Sequence, residues 1–395
     1  MKPTLAALFV CFLFQACFSE TTDSFWTNLS YKQSIESNNT LEEGYVCGSN
    51  GFYIAGDQKG TFEPKGWHIN GEMSGVWMQP IKLLNSFSYS ASAYQSSSMI
   101  TSTTTAPAKK FTQYQWGNMF EYYSEKAKGK FHIKSVQYVP EEVPGAIIEF
   151  FVDYYTVVSN RIPVADNVVL SFTGLVNLMP CWMSNEFFKT QNGEDNCWWD
   201  THNQAIVCVD KLNDWFVIIG AVEIATAYDI AHPNEIPASE YLQSDVFRLY
   251  HPRPQLPNAK VPQVTLHCLL KKLSKTQFTG SIIVTGSHTS LQEAIHRLTL
   301  LRRNKDFYFE ATAEKYSKIA NKAKIEIPDK SIQQMYEWNK YNIEWLTMSK
   351  GDMKGNLLSC KPLQSLYLTF SIHCSVLWRV ARVSNAFWMR HNLHC

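Results

Sequence analysis

The hydrophobic and polar positions between residues 44 and 286 follow the two-residue period of β-strands. Short runs rich in β-branched and aromatic residues alternate with Gly, Pro, Asn and Asp, and no run of helical period interrupts them. This pattern predicts a mainly β region, most simply a large antiparallel β-sandwich. The clearest predicted strands are 130–138, 146–152, 167–172, 205–209, 215–222, 264–270 and 281–285.

The period changes to 3.6 residues after residue 286. Ser290 and Glu293 have the spacing of a capping box, which predicts a helix that ends near Arg303. A second helix is predicted over 310–323. The positions expected to face the rest of the protein are Leu291, Ile295 and Leu298 in the first helix and Ala313, Tyr316, Ile319, Ala320 and Ala323 in the second.

Residues 325–348 predict a third, strongly aromatic helix. Pro328 blocks a helix upstream, and Asp329 can accept hydrogen bonds from the free N–H groups of the first turn. Two adjacent apolar stripes follow the helical period, so the helix should need partners on more than one side. One stripe is Ile332, Met335, Tyr336, Ile343 and Leu346, and the other is Trp338, Tyr341, Trp345 and Met348.

The same segment resembles the first barrel helix of the six-hairpin glycosidases, which include glycogen-debranching and amylo-glucosidase-like proteins. The matching residues are Ile325, Pro328, Asp329, Ile332, Tyr336, Trp338, Lys340, Trp345 and Leu346. Residues 71–84, 171–182 and 213–220 also resemble segments of that family's N-terminal β-sandwich, and they come in the same order. The resemblance implies a supersandwich, linker helices and an (α/α)6 barrel. It also implies hydrolysis of O-glycosidic bonds by two barrel carboxylates without a cofactor.

The chain departs from that family after residue 348. The expected aromatic segment of the type W-x-x-G-x-D does not occur in 349–395, and residues 366–376 alternate like a strand where helices should continue. Our hypothesis is that this tail is foreign to the domain. The chain would then hold only the first helix of an incomplete barrel, as a truncated glycosidase-like protein with its catalytic residues unknown.

Composition and charge narrow the classes of partner. The formal net charge is +1, which favours neither a nucleic acid nor an anionic membrane. The chain contains 12 Trp, 19 Tyr and 23 Phe, which large sandwich cores and sugar-binding surfaces both use. The family resemblance implies an oligo- or polysaccharide as the partner.

Residues 1–19 have the pattern of an export signal, with Lys2 before a short apolar core. Two outcomes remain open: cleavage after Ser19, or a lipobox that leaves a lipid on Cys17 and attaches the chain to a membrane. The sequence contains no Cys-x-x-Cys pair, so no zinc site is expected. Cys181 could pair with Cys197 or Cys208 in an oxidising compartment, and the alternative is buried free thiols.

Two groups of residues are candidates for sugar binding, because carboxylates can hold hydroxyls and indole rings can stack on sugar faces. Each has a structural alternative, a turn or loop carboxylate beside a buried Trp. In the first group Glu72 lies near Trp67 and Trp77, and in the second Glu194, Asp195 and Asp200 flank Trp198 and Trp199. The candidate residues are Trp67, Glu72, Trp77, Trp198, Trp199 and Asp200.

The sequence thus predicts an exported, mainly β protein of carbohydrate metabolism that needs neither metal nor cofactor. The alternative is a non-catalytic secreted carbohydrate-binding or surface structural protein. The expected parts are a signal peptide (1–19), a lead-in (20–43), a β-sandwich (44–286), linker helices (287–324), the first barrel helix (325–348) and an atypical tail (349–395).

Overall fold

The computed structural model describes residues 34–36, 41, 43–62, 74–104, 107–126, 129–155, 165–180, 193–231, 261–345, 347–348 and 355–356. In this part of the chain two large antiparallel sheets pack face to face, and helices cover part of one outer face. The prediction of a mainly β protein with an antiparallel sandwich followed by helices is confirmed.

The described strands are numbered in chain order. They are β1 (Ser34–Glu36), β2 (Gly44–Ser49), β3 (Phe52–Asp57), β4 (Gly75–Met78), β5 (Ile81–Gln95), β6 (Ser98–Thr104), β7 (Lys110–Tyr114), β8 (Gly117–Lys126), β9 (Gly129–Tyr138), β10 (Gly145–Tyr155), β11 (Asn167–Pro180), β12 (Asp195–Asp200), β13 (Ala205–Asp210), β14 (Phe216–Ala221), β15 (Ala225–Ala231), β16 (Gln263–Leu269), β17 (Lys271–Lys272), β18 (Gln277–Ser287), β19 (Thr347–Met348) and β20 (Gly355–Asn356). All seven strands predicted most clearly are present.

Strands β1 to β18 form two large sheets in which sequence order and spatial order differ. Sheet A runs β1-β7-β8-β9-β10-β18-β14-β13-β12, with β17 also paired to β18. Sheet B runs β15-β16-β11-β5-β4-β3-β2, with β6 also paired to β5. Neighbouring strands in space are often far apart in sequence, so the sandwich is held together by non-local pairing.

Aromatic side chains fill the space between the two sheets. Tyr89 of sheet B meets Phe150 of sheet A edge to face, with ring centroids 4.8 Å apart. Phe87 stacks on Phe172 within sheet B at 5.3 Å. The Tyr89 hydroxyl lies 3.0 Å from Ser135 Oγ, so this buried polar group has a partner. Burial of these large rings supplies much of the hydrophobic stabilisation of the sandwich.

Strand β9 shows where sheet A needs a cover on its outer face. Its first half alternates between buried and half-exposed residues, whereas every residue from Ser135 to Tyr138 is buried. A strand that is buried on both faces must have a layer packed on each. Val136 and Tyr138 point away from the sandwich core and belong to a second apolar cluster, which the helices complete.

The described helices are α1 (Leu291–Arg303), α2 (Lys305–Ala320) and α3 (Lys330–Trp345). The Ser290 side chain accepts a hydrogen bond from the Glu293 backbone N–H at 3.2 Å, as predicted for the N-cap of α1. The Glu293 carboxylate bonds Arg297 and the hydroxyls of Ser287 and Thr289. Asp329 accepts from the N–H groups of Ser331 and Ile332, as predicted for α3.

Helix α2 begins and ends earlier than predicted, and α3 ends before residue 348. Thr347 and Met348 pair with Gly355 and Asn356 as β19 and β20, so Met348 is not in the helix. The predicted strand at 366–376 lies outside the described residues, as do the predicted export signal and most of the lead-in.

The two apolar stripes of α3 have different surroundings. Tyr341 is fully buried, and Trp338 and Trp345 pack beside it against the helix-covered face of sheet A. The Trp345 Nε1–H donates to the Gln115 carbonyl at 3.1 Å. In the other stripe Ile332, Met335 and Ile343 are 52%, 39% and 46% exposed. One stripe therefore docks α3 on the sandwich, while the other lies uncovered.

The cysteine pairing differs from the expectation for Cys181. Cys197 and Cys208 are cross-strand neighbours on β12 and β13 and form a disulfide with each other. The two candidate partners of Cys181 therefore bond one another, because the hairpin register places them side by side. Cys181 itself lies outside the described residues. Cys47 and Cys268 are buried free thiols, and burial raises the pKa of each to about 12.

We expect the uncovered stripe of α3 to cause self-association, because exposed apolar side chains bury themselves against each other. The double variant Ile332→Lys with Ile343→Lys should lower the apparent mass seen by size-exclusion chromatography with light scattering at high protein concentration. Its thermal midpoint should stay close to that of the wild type. A wild-type chain that is monomeric at every concentration would contradict this prediction.

The matched control lies on the opposite face of the same helix. Tyr341→Ala should leave the association behaviour in place but destabilise the fold by about 3 to 5 kcal/mol, the usual cost of truncating a large buried ring. Urea denaturation would measure this loss.

Candidate functional site

The residues predicted to bind sugar do not form one surface. Trp67, Glu72 and the lipid-anchor candidate Cys17 lie outside the described residues. Trp77 is 2% exposed, stacks on Tyr53 with centroids 6.0 Å apart and lies 5.2 Å from the Lys82 ammonium. Its ring is thus buried against neighbouring side chains, and its role in sugar binding stays a prediction.

Trp198 and Trp199 face opposite sides of β12. Trp198 packs against the cluster under the helices, whereas Trp199 packs against the core between the sheets and stacks on Tyr228 at 4.7 Å. Consecutive side chains in a strand alternate in direction, so two neighbouring Trp residues cannot share a binding face. The structure therefore does not bring both Trp rings to one face beside Asp200, and the role of Trp198, Trp199 and Asp200 in sugar binding stays a prediction.

Asp200 organises the turn between β12 and β13. Its carboxylate accepts from the backbone N–H groups of His202 and Asn203, both at 3.0 Å, and from the Asn203 side chain at 2.6 Å. The Arg302 guanidinium of α1 then donates to the carbonyls of Asn203 and Gln204. Asp200 thus has a clear structural role in joining the hairpin to the helix layer.

Asp195 is the most perturbed carboxyl group of this hairpin. Its Oδ2 accepts from the Leu178 backbone N–H at 3.0 Å, while its Oδ1 is buried and has no hydrogen-bond partner among the described residues. Burial raises the pKa of Asp195 to about 8; the Leu178 bond lowers it, and the facing carboxylate of Asp210 raises it further. Asp195 is therefore largely protonated at neutral pH.

A different group of side chains forms a surface on the part of sheet A that the helices leave open. Tyr123 of β8 stacks on His132 of β9, with ring centroids 4.3 Å apart and planes 10° from parallel. Tyr123 and Asp153 are the Cα partners of His132 on its two sides. Because facing residues of neighbouring strands project to the same side, the three make one row. We call Glu121, Tyr123, His132 and Asp153 the Tyr–His platform.

Hydrogen bonds hold the Tyr–His platform in one arrangement. Glu121 Oε2 accepts from the Tyr123 hydroxyl at 3.0 Å and lies 3.0 Å from His132 Nε2. His132 Nδ1 lies 3.7 Å from Asp153 Oδ2 on the other side. The His132 bond, helped by the Tyr123 hydroxyl and by Lys134 against the effect of burial, lowers the pKa of Glu121 to about 2. Glu121 is therefore an ionised acceptor at neutral pH.

The rings on this surface remain accessible despite their contacts. Tyr123 and Tyr155 are each 48% exposed. Tyr155 belongs to β10 and lies in the next row, where it faces Lys130. Two aromatic rings among carboxylate, imidazole and ammonium groups combine apolar faces with hydrogen-bonding groups. Because the hydrogen bonds already fix Tyr123 and His132, little side-chain entropy would be lost on binding.

The Tyr–His platform was not predicted, because it contains no Trp, and the predicted sugar sites were groups of Trp and acidic residues. A usable signal was present in β8 and β9. Their inward positions are apolar aromatic or aliphatic residues, whereas the outward positions of the open half are charged or mixed. The outward residues of this half are Glu121, Tyr123, Glu125, Lys130, His132 and Lys134.

Asp195 and Glu121, whose pKa values are shifted in opposite directions, do not form a glycosidase acid and base at one place. Such a pair flanks the scissile bond at roughly 5 to 10 Å. The protonated Asp195 is on β12 and the ionised Glu121 is on β8, six strand positions apart in sheet A. At about 4.8 Å per strand they are on the order of 30 Å apart.

Two further features, a metal site and a membrane-spanning helix, are absent from the described residues. No group of three or more His, Cys, Asp or Glu side chains is arranged to hold a metal ion there. No described helix has the length and apolar composition needed to cross a membrane.

No protein-family model and no curated protein sequence matches the chain. Among solved structures, the chain is similar to a bacterial glucoamylase complexed with acarbose, with 8% identity, a TM-score of 0.40, and coverage of 80% of this chain and 41% of that one. It is also similar to a family GH92 inverting mannosidase from Bacteroides thetaiotaomicron, with 8% identity, a TM-score of 0.36, and coverage of 78% and 36%.

A polysaccharide lyase gives 10% identity, a TM-score of 0.31, and coverage of 66% of this chain and 34% of that one. The chain thus spans about two fifths or less of the length of these three structures. The activities named belong to those proteins.

Asp195 should make the stability of the fold depend on pH. Between about pH 4 and pH 8 the unfolded chain loses the Asp195 proton while the folded chain keeps it, so the free energy of unfolding should fall as pH rises. Asp195→Asn should reduce this slope and raise the stability at pH 8 relative to the wild type. Urea denaturation at several pH values between 4 and 8.5 would measure both.

The neighbouring Glu194 provides the control. It is exposed, so Glu194→Gln should keep the wild-type slope. An unchanged slope in Asp195→Asn would show that another group causes the pH dependence.

Proposed function

We propose that this chain is a carbohydrate-binding β-sandwich protein and that glycans bind across the Tyr–His platform. The observation that carries the proposal is the rigid stack of Tyr123 on His132, on the open half of sheet A and next to Tyr155. An apolar sugar face can stack on the exposed part of the Tyr123 ring. The ionised Glu121 and the side-chain oxygens of Asp153 can accept hydrogen bonds from sugar hydroxyls at the side of the ring.

Binding without turnover is the form of this function that the described residues support. Hydrolysis needs a protonated and an ionised carboxyl group on the two sides of one bond. Asp195 and Glu121 are groups of these two kinds, but they lie on β12 and β8 of sheet A, too far apart to flank one bond. The glycosidase activity implied by the resemblance of residues 325–346 would have to come from carboxylates outside the described residues.

Export is part of the proposal. It follows from the signal pattern in residues 1–19, with the two outcomes at Ser19 and Cys17 both open. The Cys197–Cys208 disulfide supports it, since such bonds form and persist in oxidising compartments.

Calorimetric titration with a panel of purified malto-, cello-, manno- and chito-oligosaccharides would test the proposal. We expect at least one of them to bind. Tyr123→Ala should weaken that binding roughly tenfold, equivalent to about 1.4 kcal/mol, because it removes the stacking surface and the hydroxyl that orients Glu121. His132→Ala should have a similar effect, because it removes the support of the ring.

Tyr228→Ala is the matched control, because Tyr228 is also about half exposed and also stacks on another ring, Trp199, but on a different part of the sandwich. It should bind glycans like the wild type. Absence of binding to the whole panel, or an equal loss in Tyr228→Ala, would overturn the proposed role of the platform.

A further inference from the structure

The outer face of sheet B carries a second group of polar side chains that the proposed function does not use. Ser171 of β11 and His267 of β16 are Cα partners, and Ser171 Oγ lies 2.7 Å from His267 Nδ1. On the other side of the ring, His267 Nε2 lies 2.8 Å from Asp229 Oδ2 on β15. Leu170, Phe172, Leu266 and Cys268 face the core, so Ser171 and His267 face outward.

The order of these three groups determines where the imidazole proton lies. A carboxylate can only accept, so the Nε2 nitrogen of a neutral His267 carries the hydrogen and donates it to Asp229. The Nδ1 nitrogen is then an unprotonated acceptor, and the Ser171 hydroxyl donates to it. A base hydrogen-bonded to a hydroxyl, and itself oriented by a third group, is the arrangement that activates a serine nucleophile.

The three residues are also accessible. The side chain of His267 is 25% exposed and that of Asp229 is 76% exposed, while Ser171 is half-buried. A second hydroxyl on the same face, that of Thr173, serves as a comparison for Ser171. Thr173, two residues further along β11, lies with its hydroxyl 3.0 Å from the hydroxyl of Thr265 and not beside an imidazole.

We propose that Ser171 is a nucleophile for small carboxylic esters, with His267 as its general base and Asp229 as the residue that positions the imidazole. The proposal is independent of glycan binding at the Tyr–His platform, which lies on the opposite outer face of the sandwich.

The reaction balances without any further reagent. Ser171 Oγ forms a bond to the acyl carbon while its proton moves to His267 Nδ1. The bond between the acyl carbon and the ester oxygen breaks, and the leaving alcohol takes the proton from Nδ1. A water molecule then gives a proton to Nδ1 and its hydroxyl to the acyl carbon, which releases the acid, and Ser171 Oγ recovers the proton.

The test uses p-nitrophenyl acetate as the probe, with peptide mass spectrometry to locate the transferred acetyl group. We expect acetylation of Ser171 in the wild-type chain and none on Thr173. Ser171→Ala should lower the rate of nitrophenol release at least tenfold, since general base catalysis typically contributes about 10² to 10⁴. Thr173→Ala should keep the wild-type rate and the label on Ser171.

The positioning role of Asp229 is tested by comparing two substitutions that a purely structural role would not distinguish in this way. Asp229→Asn should abolish labelling, because its amide can donate to Nε2 and so favour the tautomer with a protonated Nδ1, whereas Asp229→Glu should restore part of it.

Circular dichroism would show that each variant is folded. If the acetyl group appears equally on Ser171 and Thr173, or if Ser171→Ala and Asp229→Asn react like the wild type, the proposal is wrong. Loss of glycan binding in Tyr123→Ala with normal acetylation of Ser171 would separate the two proposals.

Discussion

The need to bury both faces of sheet A at one end shapes much of this protein. Sheet B covers the inner face, and the helices cover the outer face where residues such as Ile147, Ile218 and Ile283 would otherwise meet water. Hydrophobic burial on this scale is the main favourable term in folding. The boundary between covered and open sheet therefore decides which side chains of sheet A remain available for function.

Buried charged groups attach the helix layer to the sheet with defined geometry. The Lys305 ammonium at the start of α2 lies 3.2 Å from Glu149, which also accepts from the Tyr138 hydroxyl at 3.2 Å. Arg302 bonds three carbonyls of the neighbouring strands and turn. Such pairs contribute little net stability when buried, but they are costly to leave unpaired. They thus favour one position of the helices over others.

The sandwich separates two chemically different outer faces. The Tyr–His platform lies on the open half of sheet A, and the Ser171–His267–Asp229 group lies on sheet B, about 10 Å or more away through the packed core. Both are built on strands and not on loops. The ladder fixes which side chains face one another, so each group is oriented before any ligand arrives. A change on one face should leave the other intact.

The sequence alone determined the seven clearest strands, the start of α1 and α3, and the apolar stripes, because these follow from local periodicity and capping. It also predicted that α3 packs against other elements, and Tyr341 is indeed buried in the apolar cluster between the helices and sheet A. It could not choose the functional residues. Trp198 and Trp199 looked like a pair, but strand alternation sends them to opposite faces. His132 meets Tyr123 and Asp153, and His267 meets Ser171 and Asp229, only because distant segments pair in a particular register. Likewise, Asp195 holds its proton only because folding buries it. Register and burial are properties of the whole chain, so only the tertiary structure could decide them.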